Sequence, residues 1–136
     1  MMATINDVMR ELVDSIEGGL ACSVVDLESG LMLGAHHTVP YFTQSYIDAV
    51  AAAAVDMFRG KTVRTVEQLL SEQRGTEVKN TIREVQMATD GTYHFMATVE
   101  GKDNALVVVV TSRKANLGMG WSATRSAAKK LAPLCP

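Results

Sequence analysis

The sequence predicts an α+β fold, a three-layer α/β/α sandwich around one five-stranded antiparallel sheet, in the order α-ββ-α-(short α)-βββ-α. Three observations carry this expectation. Ala105-Leu106-Val107-Val108-Val109-Val110-Thr111 is an unbroken apolar, β-branched run. A half-exposed strand would alternate, so this one belongs inside a sheet covered on both faces. Helical periodicity near the start, in the middle and at the end of the chain supplies the covering layers. The strand candidates come as one pair and one triplet joined by short turns, which forces antiparallel neighbours.

In chain order, Ile5, Val8, Met9, Leu12, Val13 and Ile16 recur at helical spacing among polar residues, with Thr4 or Asn6 as the cap and Gly18-Gly19 as the stop. Leu20 to Leu27 is apolar apart from Ser23 and Asp26 and reads as an inner strand. Glu28-Ser29-Gly30 turns the chain, and Leu31 to Ala35 returns as the second arm of a hairpin. His36, His37 and Thr38 fade into a loop that ends at Val39-Pro40.

A second helix is expected from Thr43 to Arg59. Ile47, Val50, Ala51, Ala54 and Phe58 share one face, and Tyr46, Ala49, Ala53 and Met57 widen it. Only a strip with Asp48, Ala52, Asp56 and Arg59 is left for water. A helix apolar around most of its circumference packs on more than one side. In so short a chain the extra cover is expected from another subunit, and the alanines allow close approach. Lys61 to Arg74, with a Val63, Val66, Leu69, Leu70 stripe and a Thr65–Gln68 capping box, reads as a short extra helix or an ordered loop ended by Gly75.

Ile82 to Thr89 is a strand with Val85, Met87 and Thr89 on one face, and Asp90-Gly91 is a hairpin signal. Thr92 to Val99 alternates, Tyr93, Phe95, Ala97 and Val99 opposing Thr92, His94, Met96 and Thr98. Glu100 to Asn104 makes the next turn, and the inner strand begins at Ala105. The last helix carries Leu117, Gly120, Trp121, Thr124, Ala127, Ala128 and Leu131 on one face and ends before Pro133.

A length of 136 residues suits one domain, 1–136, and 47% apolar with 21% charged residues suits a globular chain. No apolar run approaches the roughly 18–20 residues of a membrane span, so no membrane insertion is expected. The first residues show neither a basic segment nor the apolar core of a leader. Cys22 and Cys135 make no disulfide framework and no metal spacing, so a reducing cytoplasm is expected. All fifteen acids lie at or before Asp103, while residues 104–136 hold five basic residues. Complementing the last helix's dipole with Lys129 and Lys130 explains part of this better than an acidic partner does.

No catalytic set emerges. Gly60-Lys61-Thr62 lacks the upstream glycine of a phosphate loop, Val55 standing there, and it trails a helix. Gly118-Met119-Gly120 reads as a closely packed helix start. His36 and His37 are adjacent, so on a strand they would point to opposite faces, and they read as a solvated loop pair; with His94 they meet only by tertiary accident. Cys22 and Ser23 lie in a buried strand without an activating partner. Asp26 and Glu28 read as turn formers, and Trp121 as core. No aromatic ladder interleaves with basic residues, so nucleic acid is not an expected partner. No cofactor or metal is expected.

One resemblance emerges from these residues. Asp90-Gly91-Thr92-Tyr93, the apolar strand, and Lys114-Ala115-Asn116-Leu117-Gly118 leading into Arg125-Ser126-Ala127-Ala128-Lys129-Lys130-Leu131 resemble the C-terminal half of the roadblock family, the roadblock-type dynein light chains and their bacterial relatives. Ser23-Val24-Val25-Asp26-Leu27-Glu28-Ser29-Gly30-Leu31 resembles its first hairpin. The likeness covers most of residues 4–131, and Lys61–Arg74 is longer than the family's usual connection. The resemblance implies a profilin-like, roadblock-type sandwich that dimerises through the third strand and the middle helix, here Ala49, Ala53, Met57, Val85 and Met87. It implies a non-enzymatic adaptor or regulator of a small Ras-like GTPase. The alternative is a small-molecule sensor with a pocket between sheet and helix.

Overall fold

The central strand is where the expectation of two covering layers meets its physical test. The computed structural model describes residues 3–136; Met1 and Met2, part of the stretch read for a leader, lie outside the described residues. Its elements are α1 (Ile5–Ser15), β1 (Gly19–Asp26), β2 (Met32–His37), α2 (Gln44–Arg59), α3 (Lys61–Arg74), β3 (Glu84–Ala88), β4 (Thr92–Val99), β5 (Lys102–Ser112) and α4 (Leu117–Leu131), with a 3-10 turn at Ala132–Leu134. All strand pairs are antiparallel, in the order β2-β1-β5-β4-β3. The continuous run therefore occupies the middle of the sheet, and Ala105 to Thr111 are buried without a break.

Alternation along β5 feeds two cores. Ala105, Val107 and Val109 join Val24, Phe95 and Val99 beneath α1 and α4, whose inner faces bring Met9, Leu12, Val13, Ala127 and Leu131. Leu106, Val108 and Val110 face the other way, where Val25, Met96, Ala51, Ala54 and Phe58 form a second core under α2. Burying a side chain of this size contributes about 1.5–3 kcal/mol, so substitution on either face of β5 weakens a different layer.

Local signals fix the helix starts. Of the two cap candidates for α1, Thr4 is the cap: its Oγ1 accepts from Asp7 N at 3.2 Å, and Asp7 Oδ2 accepts from Thr4 N at 3.0 Å. The Thr4 bonds hold the Asp7 carboxyl below the usual carboxylate range. Asn116 caps α4 by accepting from Met119 N at 3.0 Å. Gly120 seats α4 against β4, since a Cβ there would lie 2.8 and 2.9 Å from two Phe95 ring atoms and closer still to Cζ.

Several expectations need correction. β2 runs on through His36 and His37, which pair with Cys22 and Ala21, so the histidines belong to a strand rather than a loop. Lys102 already pairs with Val99, so the turn before β5 is shorter than Glu100 to Asn104; Gly101, at φ 77°, supplies the left-handed residue it needs. Lys61–Arg74 is a full helix, capped at Gly60 without a side-chain bond; Thr65 Oγ1 instead donates to Lys61 O, so there is no Thr65–Gln68 capping box. Its apolar stripe covers neither core: Val66 and Leu69 are 51% and 56% exposed, and the buried residue of α3 is Glu67. Leu117, placed on the inner face of α4, is exposed, and Trp121 is half-buried with its indole N–H engaged at the surface.

Candidate functional site

The two edges of the sheet are built differently, and that difference locates the candidate surface. An edge strand presents unpaired main-chain groups that invite another strand. At β2, α1 takes up one of these groups and crowds the strand. Asn6 Oδ1 accepts from the outward N–H of Ala35 at 3.2 Å. α1 lies so close that a Cβ on Gly34 would sit 2.5 Å from Ile5 Cγ2 and 2.9 Å from Asn6 Oδ1. Glycine at 34 is thus the condition for covering that edge.

At β3 the edge is open. Thr89 N donates to Thr92 O and Thr98 N to Arg83 O. Antiparallel alternation then turns Arg83, Val85, Met87 and Thr89 toward β4 and leaves the main-chain groups of Glu84, Gln86 and Ala88 facing outward. No hydrogen bond within the described residues takes up these groups.

Side chains from α4 hold this open strand in place. Glu84 takes a two-pronged bond from Arg125, Nε to Oε2 at 2.7 Å and Nη2 to Oε1 at 2.8 Å. Gln86 Oε1 accepts from Trp121 Nε1 at 2.6 Å, and the Arg125 guanidinium lies over the Trp121 ring at 5.0 Å. The Arg125 bonds hold Glu84 below the usual carboxylate range. A fixed edge loses less freedom on pairing than a mobile one. Sequence reasoning missed these four residues, because nothing in the spacing links positions 84–86 with 121–125.

The five residues expected at an interface fall on the α2 side of the sheet. Val85 and Met87 lie half-buried on β3 beside the second core, and Met57 borders the same core from α2. Ala49 and Ala53, one turn apart on α2, are exposed. The helix starts at Thr43, whose Oγ1 accepts from Tyr46 N at 3.3 Å, and Tyr46 stacks on Phe42 at 4.8 Å while remaining 42% exposed. The broad apolar arc read from the sequence is therefore only partly used: Ala51, Ala54 and Phe58 are buried, and the alanine flank is not.

The polar candidates stay apart. His36 shares a side of the sheet with Cys22, while His37 lies 6.0 Å from the Phe42 ring on the α2 side, and His94 is three strands away. Thr92 Oγ1 lies 3.0 Å from His94 Nε2, Nδ1 has no partner, and burial lowers the pKa of the ring. Cys22 Sγ is buried 3.0 Å from Met9 Sδ, and burial pushes its thiol far up. Asp26 accepts from Glu28 N and Ser29 Oγ and acts as the turn former expected of it, the Ser29 bond holding its carboxyl low. Among the described residues no three His, Cys, Asp or Glu side chains cluster as a metal site, and no helix is long and apolar enough to cross a membrane.

The crevice between sheet and α2, bordered by Met32, His37, Tyr46 and Val110, has a free volume of about 30 Å³. That is room for a water molecule or two, well below the roughly 300–1,000 Å³ of a ligand cleft.

No family model and no curated protein matches the sequence. Solved structures do. A Roadblock/LC7 domain from Streptomyces avermitilis aligns at TM-score 0.70 and 18% identity, over 96% of this chain and 97% of that one. The gliding protein MglB from Thermus thermophilus aligns at 0.71 and 16%, over 99% and 93%. An MglB structure with a tetrameric arrangement aligns at 0.72 and 16%, over 99% and 93%. At these identities the likeness is one of architecture, and it agrees with the element order, the sheet and the layers described above. The chain has the Roadblock/LC7 fold.

Proposed function

We propose that two copies of this chain, each a single domain over 1–136, pair through β3 and α2. The resulting dimer acts in the cytoplasm, without a cofactor or chemistry of its own, as an adaptor or regulator of a small Ras-like GTPase. The observation that carries the pairing is the asymmetry of the sheet edges: β2 is partly covered by α1 through Asn6 and Gly34, and β3 is open and braced. Pairing β3 with its copy would join two sheets and bring Val85, Met87 and Met57 together. Ala49 and Ala53 would let the α2 helices approach closely. The GTPase enters from the roadblock resemblance, and the assembled MglB neighbour is consistent with a fold that associates. The crevice beside Tyr46 and Val110 is too small for a sensor's ligand at that place.

Sedimentation velocity at micromolar concentration tests the pairing. The parent chain is expected to sediment as a dimer, and Met57→Glu and Ala88→Pro as monomers. Proline at 88 removes only an outward N–H, which an edge strand tolerates. A monomeric parent chain, or dimers in both variants, overturns the interface. Pull-down from native cytosol with GDP and with a non-hydrolysable GTP analogue tests the partner, and recovery of no GTPase in either state overturns it.

A further inference from the structure

A cleft of about 520 Å³ opens at the joint between α2 and α3, on the side of the sheet end formed by the β1–β2 turn and the start of β5. This lies within the roughly 300–1,000 Å³ of small-molecule sites. Leu27 and Val55 contribute apolar wall, and Arg59, Arg64 and Lys79 bring three cations from α2, α3 and the loop ahead of β3. Two acids lie beside them, of which Asp103 is ion-paired and Glu28 is bonded by a neutral amide. Asp103 accepts from Arg83 Nη1 at 3.1 Å, and Glu28 Oε2 accepts from Asn104 Nδ2 at 3.2 Å. Arg59 is engaged by Asn104 Oδ1 and the Asp103 carbonyl. Arg64 uses Nε on the Arg59 carbonyl at 3.2 Å, and its two terminal nitrogens, like the Lys79 ammonium, have no acceptor among the described residues. Burial first, and then the neighbouring Arg64 charge, lower the pKa of Arg59, while Asp103 and Glu67 act in the opposite sense.

The loop that delivers Lys79 is fixed rather than draped. Ser71 Oγ accepts from Val78 N at 2.7 Å, and buried Glu67 Oε2 accepts from both Thr81 N and Thr81 Oγ1 at 2.8 Å. Between these two pins Asn80 adopts φ 55°, the chain's one non-glycine residue with positive φ among those described, and its Oδ1 is buried without a partner. Neighbouring bonds thus hold Asn80 in a left-handed conformation that asparagine tolerates, and they fix where Lys79 is delivered.

We propose that this cleft binds the phosphate group of a small phosphorylated ligand, with Arg64 and Lys79 as its principal donors. A tetrahedral oxyanion offers oxygens to donors converging from separate elements, and guanidinium with ammonium satisfies it by charge-assisted bonds. The site is independent of the pairing surface. Its test is titration of the full chain with inorganic pyrophosphate, against sodium chloride at matched ionic strength and against citrate, followed by amide chemical shifts. Saturable shifts at Arg64, Lys79 and Asn80 with pyrophosphate are expected, and about tenfold weaker binding for Arg64→Ala or Lys79→Ala, the loss of one charge-assisted contact. Both side chains are exposed, so the fold should survive, and Arg113→Ala serves as a distant control with unchanged affinity. Non-saturating shifts, shifts spread over Arg113, Lys129 and Lys130, tighter binding of citrate, or unaltered affinity in both variants overturns the proposal.

Discussion

Replacing Gly120 with alanine sets two magnitudes against each other in one methyl group. In a helix, Gly→Ala is worth about 1 kcal/mol of stabilisation. At position 120, however, the added Cβ meets the Phe95 ring across three atoms, two of them at 2.8 and 2.9 Å. Phe95 is fully buried, and its ring stands edge-on to Trp121 at 86° with centroids 5.3 Å apart. It cannot swing aside as the end of a flexible side chain would. Forcing a methylene into such a core costs about 1–3 kcal/mol, and contact with a pinned ring puts this case at or beyond the upper end. A net loss of about 1–2 kcal/mol is expected after the helix gain is subtracted. With a urea slope of about 2 kcal/mol per molar, the unfolding midpoint should fall by roughly 0.5–1 M. Phe95→Leu in the same chain should remove most of the penalty, so a double-mutant cycle should show coupling of about 1 kcal/mol or more. An unfolding midpoint that rises in Gly120→Ala refutes the close-packing account.

Two further outcomes follow from buried polar groups. Glu67→Ala strips the acceptor from Thr81 N and Oγ1 and should cost about 1–3 kcal/mol, with faster amide exchange at Thr81; Glu67→Gln should cost less, and unchanged exchange in Glu67→Ala refutes the clamp. Burial lowers the His94 pKa below its ordinary 6.5, so the unfolded chain takes up the proton first. Stability should be full above about pH 6.5 and fall as the pH drops through that value toward the lower folded pKa. His94→Gln should flatten urea midpoints measured between pH 7.5 and 5.5, and an equal fall in both proteins refutes the assignment.

What was legible in the sequence rested on local, repeating physics. The unbroken run from Ala105 specified a strand covered on both sides, because no other arrangement hides consecutive β-branched residues. The alternation of Tyr93, Phe95, Ala97 and Val99 assigned a face, and Thr4, one of two cap candidates, is the residue that caps α1. The surplus apolar flank of α2 was legible for the same reason, since the helical period counts faces directly. His36 and His37 were misplaced because strand pairing with Cys22 and Ala21 overrode a polar, turn-like composition. Glu67 did leave a trace, a carboxylate beside an apolar stripe, yet its meaning depended on a loop fourteen residues away.

By itself the sequence determined the order of the elements, the central strand and the two layers, all consequences of periodicity and of bonds between near neighbours. Only the tertiary structure decided which sheet edge is partly covered and which is open. Asn6 meets Ala35 across 29 positions, and Arg125 meets Glu84 across 41. It likewise brought Arg59, Arg64 and Lys79 around one cleft. The physical reason is common to all three: hydrogen bonds and charges act over a few ångströms of space, and no periodicity along the chain encodes which distant side chains will share it.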